Sequence, residues 1–336
     1  MINCKLGKIA IIKNGKCNRQ DAILNGKYPL FDRSQVIKSS NDYIFDCPAI
    51  IVPGEGKEFI PRFYQGKFNL HQRCYCIQSR NNDQVSIKYL YYNILFNRHY
   101  FARVAVGSTV PSLRLVSFED MDLQIHTPAE QQHIVDTIGS VDSLIELNQE
   151  KISKIKRLAT QKYELLYKTY PKSAIGKRLK FIKGKQPKFA SKEDGEPYLI
   201  IDDLASNIHT QFSSEGLVCD ENDVLMVMDG ASSGKVFTGN KGYVGSTLAK
   251  LSSPQIKPSI LYFGLSKFEE EIMKNTTGSA IPHTDKSFVS ELRIVDDLDD
   301  KTTDFFNFCL NQICNLRTQN SLLSIQKEIL LQKYFH

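Results

Sequence analysis
Between residues 130 and 167, Ile138, Val141, Ile145, Asn148, Ile152, Ile155, Ala159, Lys162 and Leu166 recur in alternating steps of three and four. That spacing is the seam of a heptad helix. At about 1.5 Å per residue the stretch would form a rod of roughly 57 Å, far longer than an average globular helix. A more polar stretch over residues 301–335 repeats the spacing at Cys309, Gln312, Leu316, Gln319, Leu323, Gln326 and Leu330. Ahead of the first rod, strand-like runs at 8–12, 49–52 and 73–78 alternate with the turn pairs Asn14-Gly15, Asn25-Gly26 and Pro53-Gly54. A helical pattern follows over 87–104. Ahead of the second rod, strands are predicted near 178–182, 223–228 and 247–251, and a helix near 259–274.

This parallel order reflects a repeat. Leu6-Gly7-Lys8 and Asn14-Gly15-Lys16 return as Ile175-Gly176-Lys177 and Lys183-Gly184-Lys185, an offset of 169. Ile50-Ile51-Val52 matches Leu225-Met226-Val227 at 175, and the loop from Gly107 to Pro111 matches that from Gly278 to Pro282 at 171. In the rods, Gln161-Lys162-Tyr163 falls on Gln332-Lys333-Tyr334. Collinear matches of this kind mark a duplicated unit. The expected architecture is α+β: two α+β domains (1–128 and 171–298) separated by two long helices (129–170 and 299–336). A seam holding Asn148, Lys162 and three glutamines leaves polar groups in need of partners. The rods are therefore expected to pack as an antiparallel coiled coil, placing the globular domains at opposite ends about a pseudo-two-fold axis, with the polar seam residues setting register.

The chain of 336 residues carries a net charge of +6, and the excess is uneven. Residues 1–170 hold 23 Lys and Arg against 16 Asp and Glu, whereas 171–336 hold 20 against 21. An anionic partner is permitted rather than required. The eight cysteines lack zinc spacing and read as reduced thiols. No apolar run is long enough to span a membrane, and the first residues do not resemble a signal peptide, so a cytoplasmic location is expected.

Phosphate neutralisation and base reading require Lys, Arg, Asn, Gln, Ser, Thr or His on loops and strand edges. The densest basic run is 172–192, with Lys183, Lys185 and Lys188, and its first-repeat counterpart carries Lys13 and Lys16. Lys57, Arg62, Lys67, His71, Gln72 and Arg73 are interleaved with aromatics; for any one of them a solvated strand face is the competing reading. Ser108, Thr109, Ser279 and His283 are loop candidates, joined by Lys235 and Lys241. The sequence from Gly230 to Val236 is one residue short of a P-loop and lacks its Ser/Thr, so it reads as a turn. No Asn-Pro-Pro-Tyr-like loop of an adenine methyltransferase occurs. Asp46 with Glu55-Gly56-Lys57 is formally a metal-dependent nuclease pattern, yet the second repeat has Asp229-Gly230-Ala231 there.

With its order of domain, rod, domain and rod, and with Ile125-His126-Thr127-Pro128-Ala129-Glu130-Gln131-Gln132-His133-Ile134 leading into the first rod, the chain resembles the specificity (S) subunits of type I restriction-modification systems. The Gly107 loop is similar to a loop of that family, whereas residues 295–303 lack the Pro and Glu-Gln signature at the second junction. The resemblance implies a non-catalytic subunit in which each target-recognition domain reads one half of a bipartite, asymmetric site in double-stranded DNA. It also implies that two adenine-N6 methyltransferase (M) subunits and restriction (R) subunits are positioned on the helical regions, and that S-adenosylmethionine, ATP and Mg²⁺ belong to those partners, leaving this chain without cofactor or metal. The alternatives are a degenerate S-like scaffold without sequence-specific recognition and the metal-dependent nuclease.

Overall fold
A computed structural model describes residues 1–34, 36–56, 58–206, 209–278 and 281–336. The chain divides into two compact units: Met1–Asp142 with Gln326–His336, and Ser143–Ile325.

In unit 1 the elements are β1 (Ile2–Lys5), α1 (Leu6–Ile9), β2 (Ala10–Asn14), β3 (Tyr28–Phe31), β4 (Lys38–Ser40), β5 (Phe45–Pro53), β6 (Arg62–Leu70), β7 (Cys74–Ser79), α2 (Ile87–Phe96), α3 (His99–Val104), α4 (Leu115–Glu119), β8 (Asp122–Ile125) and the first turns of α5 (Pro128–Thr169). Six strands form one sheet in the order β2-β7-β5-β6-β3-β4. The run expected as a strand at 8–12 opens instead as the α1 turn. There the Leu6 amide donates to the Met121 carbonyl and the Leu6 side chain is fully buried. The helix expected over 87–104 breaks at Asn97–Arg98 into α2 and α3. β6, for whose basic residues a solvated strand face was the competing reading, is a paired strand whose Phe68 lies in the core with Phe31.

Unit 2 contains β9 (Ser173–Ala174), β10 (Lys180–Lys183), β11 (Glu196–Leu199), α6 (Ile201–Ser206), β12 (Phe212–Ser213), β13 (Val218–Cys219), β14 (Val224–Val227), β15 (Val236–Phe237), β16 (Gly242–Val244), β17 (Leu248–Ser252), α7 (Pro258–Lys267), α8 (Glu269–Lys274), β18 (Thr276–Thr277), β19 (His283–Thr284), α9 (Lys286–Glu291), β20 (Arg293–Ile294) and most of α10 (Asp300–Phe335). It has two four-stranded sheets, β10-β17-β14-β15 and β12-β11-β16-β13.

Hydrogen bonding reproduces the repeat. Pro53 pairs with Cys74 as Val227 pairs with Leu248. The central strands therefore align at an offset of 174, one less than the apolar triplets suggested. Leu6 donates to Met121 as Ile175 does to Leu292. Gly15 and Gly184 sit so close to a neighbouring strand that a Cβ would fall 2.1 Å from the Leu70 carbonyl oxygen in one repeat and 2.1 Å from that of Val244 in the other.

The long helices start on defined caps. Thr127 donates to the Glu130 carboxylate through its amide (2.9 Å) and hydroxyl (2.8 Å), and Pro128 fills the first helical position. Gln131 is buried, donating to the Gln84 and His126 carbonyls and accepting from the Ser86 amide. At the second junction, which lacks this signature, Asp299 accepts from the Thr302 amide (2.8 Å) and hydroxyl (2.9 Å).

Within each unit the segments of α5 and α10 run antiparallel. In unit 2, Asn148 donates to Asn320 (3.0 Å) and Gln319 (3.4 Å), and Tyr163 packs on Phe306. In unit 1, Lys327 donates to Asp142 (2.6 Å), and the Tyr334 ring lies against His133. On α5, Ile138, Val141, Asn148, Ala159 and Leu166 are buried, while Ile145, Ile152, Ile155 and Lys162 are half-buried. On α10, Cys309 and Leu316 are buried and Leu323 and Leu330 half-buried, but Gln319 and Gln326 are exposed. The inward positions are Ile313, Asn320 and Lys327, one residue on from the glutamines, because these are the side chains that meet α5 partners or the core.

Candidate nucleic-acid interface
In the first repeat, β2 ends at Asn14 and turns at Gly15, whose amide donates to the Cys74 carbonyl. The turn lies beside residues 71–73, and the Asn14 side-chain amide donates to the Gln72 carbonyl (3.4 Å). Beyond β5, the Gly54 amide donates to Arg73 and the Gly56 amide to Pro111, so Glu55 is held against Ser112 at the base of the Gly107 loop. Together Asn14, Gly54, Glu55, Gln72, Arg73, Tyr75, Ser112 and Leu113 line a cleft of about 310 Å³.

The second repeat has the same frame. Met228 donates to Thr247, Gly230 donates to Pro282, and Asp229 bridges to His283. Each frame therefore sets one carboxylate between two nitrogen-bearing side chains. Glu55 accepts from Arg33 (2.6 Å) and Arg73 (2.6 Å); Asp229 pairs with Lys183 (2.7 Å) and with His283 Nδ1 (2.7 Å). Desolvation works to raise the Asp229 carboxyl, but the hydrogen bonds from Lys183 and His283 prevail and hold it below the usual carboxylate range.

The frames thus gather Gln72 and Arg73 in the first repeat and Lys183 and His283 in the second. Lys13 and Lys16 are exposed on β2 and the turn after it, Lys185 is exposed after Gly184, and Ser108 and Thr109 are exposed in the Gly107 loop. Lys57 and Ser279 lie outside the described residues. Other candidates have different surroundings. Arg62 is half-buried and donates to the Ser34 carbonyl. His71 is buried, its Nδ1 accepts from the Arg73 amide, and burial lowers its pKa; it shapes the loop from inside. Lys67 lies over the Tyr43 ring, and Lys188 pairs with Glu215. Lys235 lines a cavity of about 630 Å³ with Lys156 and Glu269, while Lys241 faces a cleft that also holds Glu196 and Glu221. Glu55 and Asp229 were absent from the reading of DNA contacts because an acid runs against the charge expected beside phosphate, and Arg33 because it lies outside the basic runs.

The P-loop-like segment is a turn whose amides are used internally: Ser233 donates to Gly230, Gly234 to Val227 and Lys235 to Ser232. The nuclease pattern does not assemble. Asp46 lies near the start of β5 and Glu55 beyond its end, roughly 25–30 Å apart along an extended strand, and Glu55 is already occupied by two guanidinium groups. Among the described residues no group of three or more His, Cys, Asp or Glu side chains gathers, and no helix is long and apolar enough to cross a membrane.

Each α+β unit thus offers a loop cluster in which one carboxylate holds two exposed nitrogen donors. Residues 3–157 match the model of the type I restriction modification DNA specificity domain. The chain is 34% identical over 128 residues to the type I restriction enzyme MjaVIII specificity subunit of Methanocaldococcus jannaschii, and 26% identical over 154 residues to the EcoDI specificity subunit of Escherichia coli. These matches take in 36% and 46% of this chain but only 30% and 34% of the relatives, about a third of their length. The whole chain shares its fold with the type I restriction-modification S subunit from M. genitalium: TM-score 0.56, 18% identity, covering 100% of this chain and 96% of that one.

Proposed function
We propose that the chain is a specificity subunit that reads a bipartite, asymmetric site in double-stranded DNA, the domain at 1–128 taking one half and that at 171–298 the other. The observation that carries the reading is the paired frame: two equivalent loop clusters on one chain, each edged with exposed nitrogen donors but differing in side-chain chemistry. Equal frames suit equal docking on two stretches of duplex, and unequal tips suit unequal sequences. In this reading the chain performs no chemistry. Two adenine-N6 methyltransferase subunits and the restriction subunits dock on the helical regions at 129–170 and 299–336 and bring S-adenosylmethionine, ATP and Mg²⁺.

Half-sites one helical turn apart are about 34 Å centre to centre, within the reach of helices of this length. One heptad added to both helices should widen the spacer and leave both half-sites unchanged; altered half-sites would contradict the ruler. The direct test is co-expression with an adenine-N6 methyltransferase partner. The complex should co-purify and protect plasmid DNA by methylation at one bipartite motif, whereas a stable complex that marks no such motif refutes the proposal.

A further inference from the structure
We infer that Glu55 and Asp229 are equivalent positioning residues for base reading, each aiming a pair of nitrogen-bearing side chains at its half-site. The inference rests on the proposed DNA-reading role and adds what fixes its selectivity. The acids are the sheltered partners: the Glu55 side chain is 13% exposed against 46% for Arg33 and 58% for Arg73, and Asp229 is 22% exposed against 50% for both Lys183 and His283. Pairs this exposed on one side contribute little to stability, and a carboxylate beside phosphate weakens attraction to DNA. Orientation is the remaining physical use.

A guanidinium carries five N–H donors in a rigid fork. With Nη1 of each arginine tied to one Glu55 oxygen, the other donors are restricted in direction, and part of the side-chain entropy is lost before DNA arrives. A fork held in this way suits the O6 and N7 acceptors of guanine in the major groove. The first repeat therefore reads a guanine through Arg33 and Arg73. The ammonium of Lys183 and the imidazole of His283 offer fewer donors in a different arrangement, so the second repeat reads a different element from the same acid-anchored place. Both acids follow the central strand at the point fixed by the Gly56-to-Pro111 and Gly230-to-Pro282 hydrogen bonds, which makes their coincidence a property of the repeated frame.

The test selects binders from a pool of random-sequence 30-base-pair duplexes, using the full chain as wild type, Glu55→Gln, Asp229→Asn and Arg73→Met. Wild type should enrich two half-sites. Glu55→Gln should lower the preference for guanine in one half by about 10- to 100-fold, leave the other half intact, and retain or strengthen binding to an unselected duplex, with an unchanged melting temperature. Asp229→Asn should relax the other half only. Arg73→Met, a change at an exposed side chain, should relax the same guanine as Glu55→Gln and keeps the test decisive if the acid variant folds poorly. Retained half-site preference in Glu55→Gln and Arg73→Met, loss of both halves together, or relaxation of different base positions by the two variants would overturn the inference. If wild type enriches no bipartite sequence, the proposed function itself fails, a result distinct from any of these.

Discussion

The strand that runs unbroken as β5 in unit 1 is split in unit 2 into β13 and β14, and its neighbour β6 into β15 and β16. Register shows the correspondence: Phe45 pairs with Phe68 as Cys219 pairs with Gly242, while Pro53 pairs with Cys74 as Val227 does with Leu248. At the second break Gly239 and Gly242 take φ of 76° and 145°, backbone that glycine adopts at least cost. The opening is occupied by Arg317 of α10, whose guanidinium donates to the Thr238 and Leu204 carbonyls. Glu146, at the matching place of α5, is exposed. The helices also meet differently: an ionic contact of Asp142 with Lys327 and the Tyr92 hydroxyl in unit 1, amides at Asn148 and Asn320 in unit 2. One duplicated frame has thus been stabilised in two ways, and the second repeat leans on its helix where the first leans on its sheet.

Arg317→Ala should show this most strongly. Losing the guanidinium hydrogen bonds to the Thr238 and Leu204 carbonyls, together with the packing of the half-buried stem, should cost about 3 kcal/mol, read as faster amide exchange confined to residues 143–325. Glu146→Ala should stay within about 0.5 kcal/mol; equal effects would dissolve the contrast. Asp142→Ala follows at about 2 kcal/mol, because Lys327 keeps its charge at 17% exposure and partial solvation reduces the penalty. Asn148→Ala, which removes a neutral pair, should cost about 1 kcal/mol in denaturant unfolding. The smallest effect concerns acid. The depressed Asp229 carboxyl contributes stability that is present above its unfolded pKa of about 3.9 and is lost as pH falls through the lower folded value. NMR amide signals of Thr277 and Thr284 should therefore shift below about pH 4 in wild type and not in Asp229→Asn.

The helices and the repeat were legible because they rest on long apolar periodicity and on glycines that only a close strand approach explains, as at Gly15 and Gly184. On α10 the expected seam residues Cys309, Leu316, Leu323 and Leu330 are buried or half-buried, but Gln319 and Gln326 were placed one residue early, because each is next to an equally polar residue, Asn320 or Lys327, and polarity alone does not say which of the two turns inward. In β6 the strand face stood only as the competing reading, because Arg62, Gln65 and Lys67 break up the apolar pattern that marks a strand. Part of the candidate site was visible in Arg73, Lys183 and His283, but residue type alone could not separate these from Arg62 and His71, which serve the fold. The anchoring acids had one usable signal, the alignment of Glu55-Gly56 with Asp229-Gly230. Its meaning depends on contacts with Arg33 and Ser112, which are remote in sequence.

If one chain reads two different half-sites through two equivalent frames, a base-resolution map of N6-methyladenine in DNA from cells that express the chain with an adenine-N6 methyltransferase subunit will show it. The account predicts a single asymmetric motif of two unlike halves, one containing a guanine, separated by an unspecified spacer of constant length. A continuous motif, two identical halves, or methylation without any motif would contradict it.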